Sequence, residues 1–241
     1  MNAVLQQFAE AIAQPEESIP LDRAALLLGG IASDGALDLP RCLARLDELA
    51  ELSQRAAQGL DGAPWAAARA TSMTLFGELG FRGNVEQYYD PRNSFLHQVL
   101  ERRVGIPISL SVLYIEVLRR QGAVARGVGF PGHFLARVES AEGTLIVDCF
   151  HRGNEPDETG LATLLERRNG PGFHLEKAML EPIGKRAILT RMLFNLSGIY
   201  GQRNDWLRSL AVLERLALLD PENPRITHEL RELRARARSV N

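Results

Sequence analysis

Three positions in the middle of the chain have the residue types and the order that nucleophilic acyl chemistry requires. They are the head of an apolar helix at Gly105-Ile106-Pro107, a histidine at 133 and an aspartate at 148. A helix N-terminus favours an anion such as a thiolate, an imidazole takes or shares the proton, and a carboxylate fixes the imidazole tautomer. His133 and Asp148 lie on opposite sides of a β-like hairpin, a spacing that allows them to touch. Each also has a plainer role. A histidine after Pro131-Gly132 and before an apolar run can be a buried histidine bonded to a carboxylate, and Asp148 can cap the turn that follows it.

The elements that must position these groups can be read from the punctuation around them. Pro107 is preorganised for a first helical turn and Gly122 closes the helix it opens. Two β-like runs follow, Val124 to Val138 and Thr144 to Phe150, joined by the polar turn Glu139-Ser140-Ala141-Glu142-Gly143. Gly129, Pro131 and Gly132 bring backbone close to His133, as a ligand cleft or a tight bend requires. They do not make a phosphate loop, because no G-x-x-x-x-G-K-[ST] is present and G-V-G-F-P-G precedes a strand.

Upstream, apolar spacing predicts helices over Ala3–Ala13, from Pro20-Asp22 onward, and from Leu39-Pro40 to Gln58 with Leu43, Leu46, Leu49 and Leu52 on one stripe. A turn at Ser33-Asp34-Gly35 and a loop over 59–64 separate them. A helix from Trp65 to Leu79 and a glycine-rich turn at 80–84 follow. Asn93 or Ser94 is expected to cap a helix bearing Phe95, Leu96, Val99 and Leu100, in which His97 reads as structural. Downstream come a short helix from Leu161 to Arg168, a break at Asn169-Gly170-Pro171-Gly172, and amphipathic helices over about 185–202 and 205–219. A last charged helix follows Pro224. Leu196, Tyr200, Ser209, Leu213, Leu216 and Pro221 fall near the small and large positions of a tetratricopeptide unit, roughly 34 residues long. One such unit cannot bury its own face and must stack on the core or on a partner.

The expected organisation is a helical N-terminal region over 1–60, an α+β core over 61–184 and a helical-repeat tail over 185–241. At 241 residues, 45% of them hydrophobic, the chain can bury a sizeable core. A net charge of -2 and a pI near 6.2 give no basic field for nucleic acid. No run approaches the roughly 18 to 20 apolar residues that span a bilayer, and no signal-peptide pattern opens the chain. A cytoplasmic protein without membrane partners is expected. Cys42 and Cys149 are too few and too unpatterned for a disulfide framework or a metal site, and no cofactor motif is present.

Five motifs in order carry a family resemblance: E-L-G-F-R-G-N at 78–84, Y-Y-D-P-R-N-S-F-L at 88–96, G-I-P-I-S-L-S-V-L-Y at 105–114, G-F-P-G-H-F at 129–134 and D-C-F-H-R-G at 148–153. Over about residues 20 to 224 the chain resembles the bacterial SirB1 family, transglutaminase-like proteins with a tetratricopeptide-type tail. The resemblance implies a papain-related α+β core with a small antiparallel sheet. Helix head, histidine and aspartate also come in the order of papain-like and transglutaminase-like enzymes, whose nucleophile is a cysteine. Such cores place it in G-x-C about fifteen residues before the glycine ending the helix. Here that register puts Pro107 in its place.

Substitutes for the cysteine are few. Ser109 points roughly 200° around the helix from position 107, and Ser111 faces the same side one turn deeper. Cys149 neighbours Asp148 on a strand and faces the other way. The leading expectation is therefore a non-catalytic transglutaminase-like protein with a vestigial His133–Asp148 pair. It acts as a regulatory or binding module for another protein or peptide through Pro107, Gly132, Phe134 and Tyr200. The alternative is a serine-based acyltransferase or amide hydrolase using Ser111 or Ser109 with His133 and Asp148. A third reading is a receptor for a small-molecule or peptide carboxylate that uses charged His133.

Overall fold

Helix α6 (Pro107–Arg120) is the axis of the fold, and its sequence says why. From Pro107 to Leu118 every residue is buried, because apolar side chains run all the way round it and leave no face for water. Burying each of its Leu, Ile and Val side chains contributes about 1.5 to 3 kcal/mol, so tertiary packing holds this helix more than its own propensity does. The computed structural model describes residues 3–32, 37–60, 65–141, 143–170 and 172–239. The turn expected at Ser33-Asp34-Gly35, most of the loop expected over 59–64, and the Glu142 and Pro171 positions lie outside them.

Around α6 stand α1 (Ala3–Ile12), α2 (Leu21–Leu27), α3 (Leu39–Gln58), α4 (Ala66–Ser72) and α5 (Leu96–Arg102). The last helical turns after α4, Met73–Glu78, widen to π geometry. On α3 the buried apolar residues are Leu46, Leu49 and Ala50, whereas Leu43 and Leu52 lie at the margin of the stripe. The cap expected from Asn93 or Ser94 is not formed. The residue before α5 is Phe95, without a side-chain cap. Asn93 turns inward instead, and its amide nitrogen donates to Gln87 O (2.7 Å) and Tyr88 O (3.2 Å).

Strands β1 (Arg82–Gly83) and β2 (Val104–Gly105) form a short parallel pair with Arg82 opposite Val104 and Gly83 opposite Gly105. Because β2 runs directly into α6, this pairing fixes the helix head. The main sheet is an antiparallel meander of β3 (Val124–Val128), β4 (Leu135–Ser140) and β5 (Gly143–Val147), with β4 central. The run expected from Val124 to Val138 is thus two strands. Gly129–Phe134 leaves the ladder between them, where Pro131 has no N–H to donate and Gly132 sits at φ +66°.

One face of the sheet lies on α6. On the other, Val128, Phe130 and Leu135 pack with Leu161 and Leu165 of α7 (Glu158–Asn169). The chain closes with α8 (Lys185–Gln202), α9 (Trp206–Leu219) and α10 (Pro224–Ser239). A single apolar cluster runs from Phe8 through α6 to Leu196 and Leu230, so the N-terminal helices and the tail share the core of the middle segment. Among the described residues no helix is long and apolar enough to cross a membrane.

Candidate functional site

Pro107 occupies the first helical position of α6, behind Ile106 in extended conformation. Ser109 ties this head to the loop before α5: its hydroxyl donates to Asn93 O at 2.6 Å and accepts from Ile106 N–H at 3.1 Å. Leu110 N–H is bonded to Ile106 O at 3.1 Å. The N–H of Ile108 is one of the donors that helix geometry leaves without an intrahelical acceptor.

His133 sits on the bend between β3 and β4, its N–H donating to Phe130 O at 3.0 Å. Its ring Nε2 stands 3.0 Å from both oxygens of Asp148. Asp148 follows β5 and is held by a loop that folds back over its carboxylate. Its N–H donates to Asn154 O at 2.7 Å and its carbonyl accepts from Gly153 N–H at 2.9 Å. Arg152 at φ +59° and Gly153 at φ +74° make that return possible. Inside the loop, the N–H groups of Phe150 (3.1 Å) and His151 (3.2 Å) reach Asp148 Oδ1, and His151 Nδ1 lies 2.7 Å from Oδ2. Burial by itself would raise the Asp148 pKa, but the bonds from His133 and His151 outweigh it and hold the carboxyl well below the usual carboxylate range. Phe150 packs edge-on to His133, and a Cβ at Gly83 would come within 2.5 Å of its ring.

The orientation has a direct chemical meaning. With Nε2 turned to Asp148, the tautomer and plane of the imidazole are fixed, and the ring presents Nδ1 as its remaining functional nitrogen. Nδ1 is buried and has no hydrogen-bond partner. His133 lines a cavity of about 210 Å³ together with Pro107, Ile108, Phe134, Arg191 and Asn195.

Of the residues expected to form the site, the structure brings Pro107, Gly132, His133 and Phe134 to this one cavity, with Asp148 behind the imidazole. It does not bring the serines to the ring. Ser109 holds the helix head as described, and Ser111 Oγ is turned to Phe134 O at 3.5 Å and to the Cys149 thiol. Cys149 is fully buried, and that burial pushes its thiol far up from the ordinary range. Tyr200 is elsewhere, on α8, lining a groove of about 580 Å³ with Trp206, Leu213 and Leu233.

Sequence reading missed His151 and Arg191. His151 stands three residues after Asp148 in D-C-F-H-R-G, so an acidic residue followed by a histidine one tight turn later was the available signal. Arg191 offered none. It is one of two arginines on α8, and it meets the site only because that helix packs there, its Nη2 donating to His133 O at 3.0 Å. Among the described residues, His133, Asp148 and His151 are the group whose ligand atoms, all within 4.8 Å of one another, could hold a metal ion. Their hydrogen bonds to the shared carboxylate account for the arrangement as it stands.

Residues 41–194 match the profile of the transglutaminase-like superfamily. The chain is 42% identical over 158 residues to a UPF0162 protein of Xylella fastidiosa, covering 64% of this chain and 56% of that one. It is 26% identical over 158 residues to protein SirB1 of Salmonella typhimurium, covering 66% and 58%. It is also 36% identical over 135 residues to F-box only protein 21 of Mus musculus, covering 53% and 21%. The chain thus spans a little over half the length of the two bacterial relatives. No solved structure matches it.

Proposed function

Because this chain belongs to the transglutaminase-like superfamily, in its SirB1-like branch, we propose that it is a member without acyl-transfer chemistry, a cytoplasmic module that binds and regulates another protein or peptide. Pro107 carries this reading. It lines the cavity beside His133 and supplies neither a nucleophile nor the backbone N–H that an oxyanion would need at that position. The serine hydroxyls near the head of α6, on Ser109 and Ser111, are committed to Asn93 O and Phe134 O. The His133–Asp148 pair then serves as one wall of a binding cleft. The groove of α8 to α10, of tetratricopeptide type, offers the partner a second surface. Arg191 joins the two, since one helix both lines the cleft and begins the tail.

The reading is tested by treating the folded protein with an activated ester and a fluorophosphonate and mapping adducts by mass spectrometry. No His133-dependent adduct at Ser109 or Ser111 is expected, and one would overturn it. The intact His133–Asp148 pair supports a second reading, a serine-based acyltransferase or amide hydrolase. That enzyme requires a serine hydroxyl to leave its present acceptor and turn to the imidazole.

A further inference from the structure

The cavity at the head of α6 gathers donors and no acceptor charge of its own. Arg191 bonds His133 O through Nη2 and lies over the Phe134 ring at 5.5 Å, yet no carboxylate among the described residues pairs with it. Burial lowers its pKa and only Tyr88 opposes that effect, so this guanidinium sits partly desolvated without a counter-ion. Such a charge is costly unless something anionic meets it. His133 Nδ1, on a side chain with no solvent exposure, is likewise without a partner. The third contribution is the N-terminus of α6, a fourteen-residue helix whose positive dipole end lies at the cavity. The rest of the lining is mixed, made by Ile106, Pro107, Ile108 and Phe134 together with Tyr88 and Asn195.

We infer that this cavity binds the carboxylate of a small ligand. The inference rests on the binding-module reading and names its ligand class. At about 210 Å³ the space admits roughly one residue-sized group, and a guanidinium beside a helix N-terminus suits a small anion. Asp148, ionised directly behind the imidazole, disfavours a dianion and so selects a carboxylate over a phosphate. The same carboxylate is presented by a free apolar acid and by the C-terminal residue of a peptide, and the exposed Asn195 at the rim is placed to meet the preceding peptide amide.

The test is calorimetric titration of the full chain with N-acetyl-leucine, acetyl-Gly-Gly-Leu, the C-terminal amide of that peptide, and inorganic phosphate. Both acids are expected to bind, with the amide and phosphate weaker by about tenfold or more, the worth of one charge-assisted contact. Tighter binding of the peptide than of the free acid assigns the site to chain termini, and the reverse assigns it to small acids. Arg191→Met, checked for folding by its melting temperature, should weaken both acids by about tenfold or more, with Arg191→Lys in between. Equal binding of acid and amide, phosphate binding as tight as the acids, or no binding of either acid would each overturn the inference. The acid–amide comparison on unaltered protein keeps it falsifiable if the variants do not fold. Conversion of the amide to acid in the cell would instead sink the non-catalytic reading, leaving the acid arm to decide the anion site.

Discussion

Pro107 and His133 line one cavity at the head of α6, so the imidazole positioned to accept a proton has beside it a ring with none to give. What remains of the site is an oriented histidine held by a carboxylate that accepts bonds from two imidazoles and two backbone N–H groups.

Asp148→Asn should destabilise the protein by about 1.5 to 3 kcal/mol, the range for losing hydrogen bonds to an ionised acceptor. The acid limb of the stability curve gives an independent check. A carboxyl whose folded pKa is depressed contributes stability that is complete above its unfolded value, about 3.9, and is lost as pH falls below it. Denaturant melts between about pH 5 and pH 2 should therefore show a steeper loss for the unaltered protein than for Asp148→Asn, by about 1.4 kcal/mol per pH unit, one proton's worth. Equal slopes would mean that Asp148 is not the ionised acceptor described here.

The two serines should differ. Ser109→Ala removes both the bond to Asn93 O and the acceptor for Ile106 N–H, and is expected to cost about 1 to 2 kcal/mol. Ser111→Ala loses only a 3.5 Å contact to Phe134 O and the one to the Cys149 thiol, and should cost about 1 kcal/mol or less. Urea melts of the two variants decide the order. The reverse order would show that Ser111 is the better bonded hydroxyl.

Pro107→Cys should place a reactive thiol at a helix N-terminus beside an imidazole, two features that lower a thiol pKa. At neutral pH it should react with iodoacetamide about tenfold faster than Cys42, whose thiol is pushed up chiefly by burial. Adding His133→Ala should remove most of that advantage. If the introduced thiol reacts no faster than Cys42, position 107 does not meet the imidazole.

Much of this was legible in the chain because it is encoded locally. Pro107 and Gly122 bound α6, Pro224 opens α10, and the hairpin spacing brings His133 to Asp148, all through short-range rules. The failures also have local causes. Reading 124–138 as one strand gave too little weight to Pro131 and Gly132, which free the bend that carries His133. Expecting a cap from Asn93 overlooked that its amide bonds the backbone of Gln87 and Tyr88 behind it. His151 stayed hidden because its role depends on Arg152 and Gly153 adopting positive φ. Arg191 lies 58 residues from His133 in sequence and reaches it only through helix packing, which no local pattern records.

The most direct measurement is turnover. Purified protein, His133→Ala and Ser111→Ala, each confirmed folded by circular dichroism, would be assayed for ester hydrolysis, amide hydrolysis and amine transfer to a glutaminyl peptide. All three proteins should stay at the uncatalysed rate in every assay. Turnover by the unaltered protein that disappears in folded His133→Ala would overturn the non-catalytic reading and make the cleft an active site.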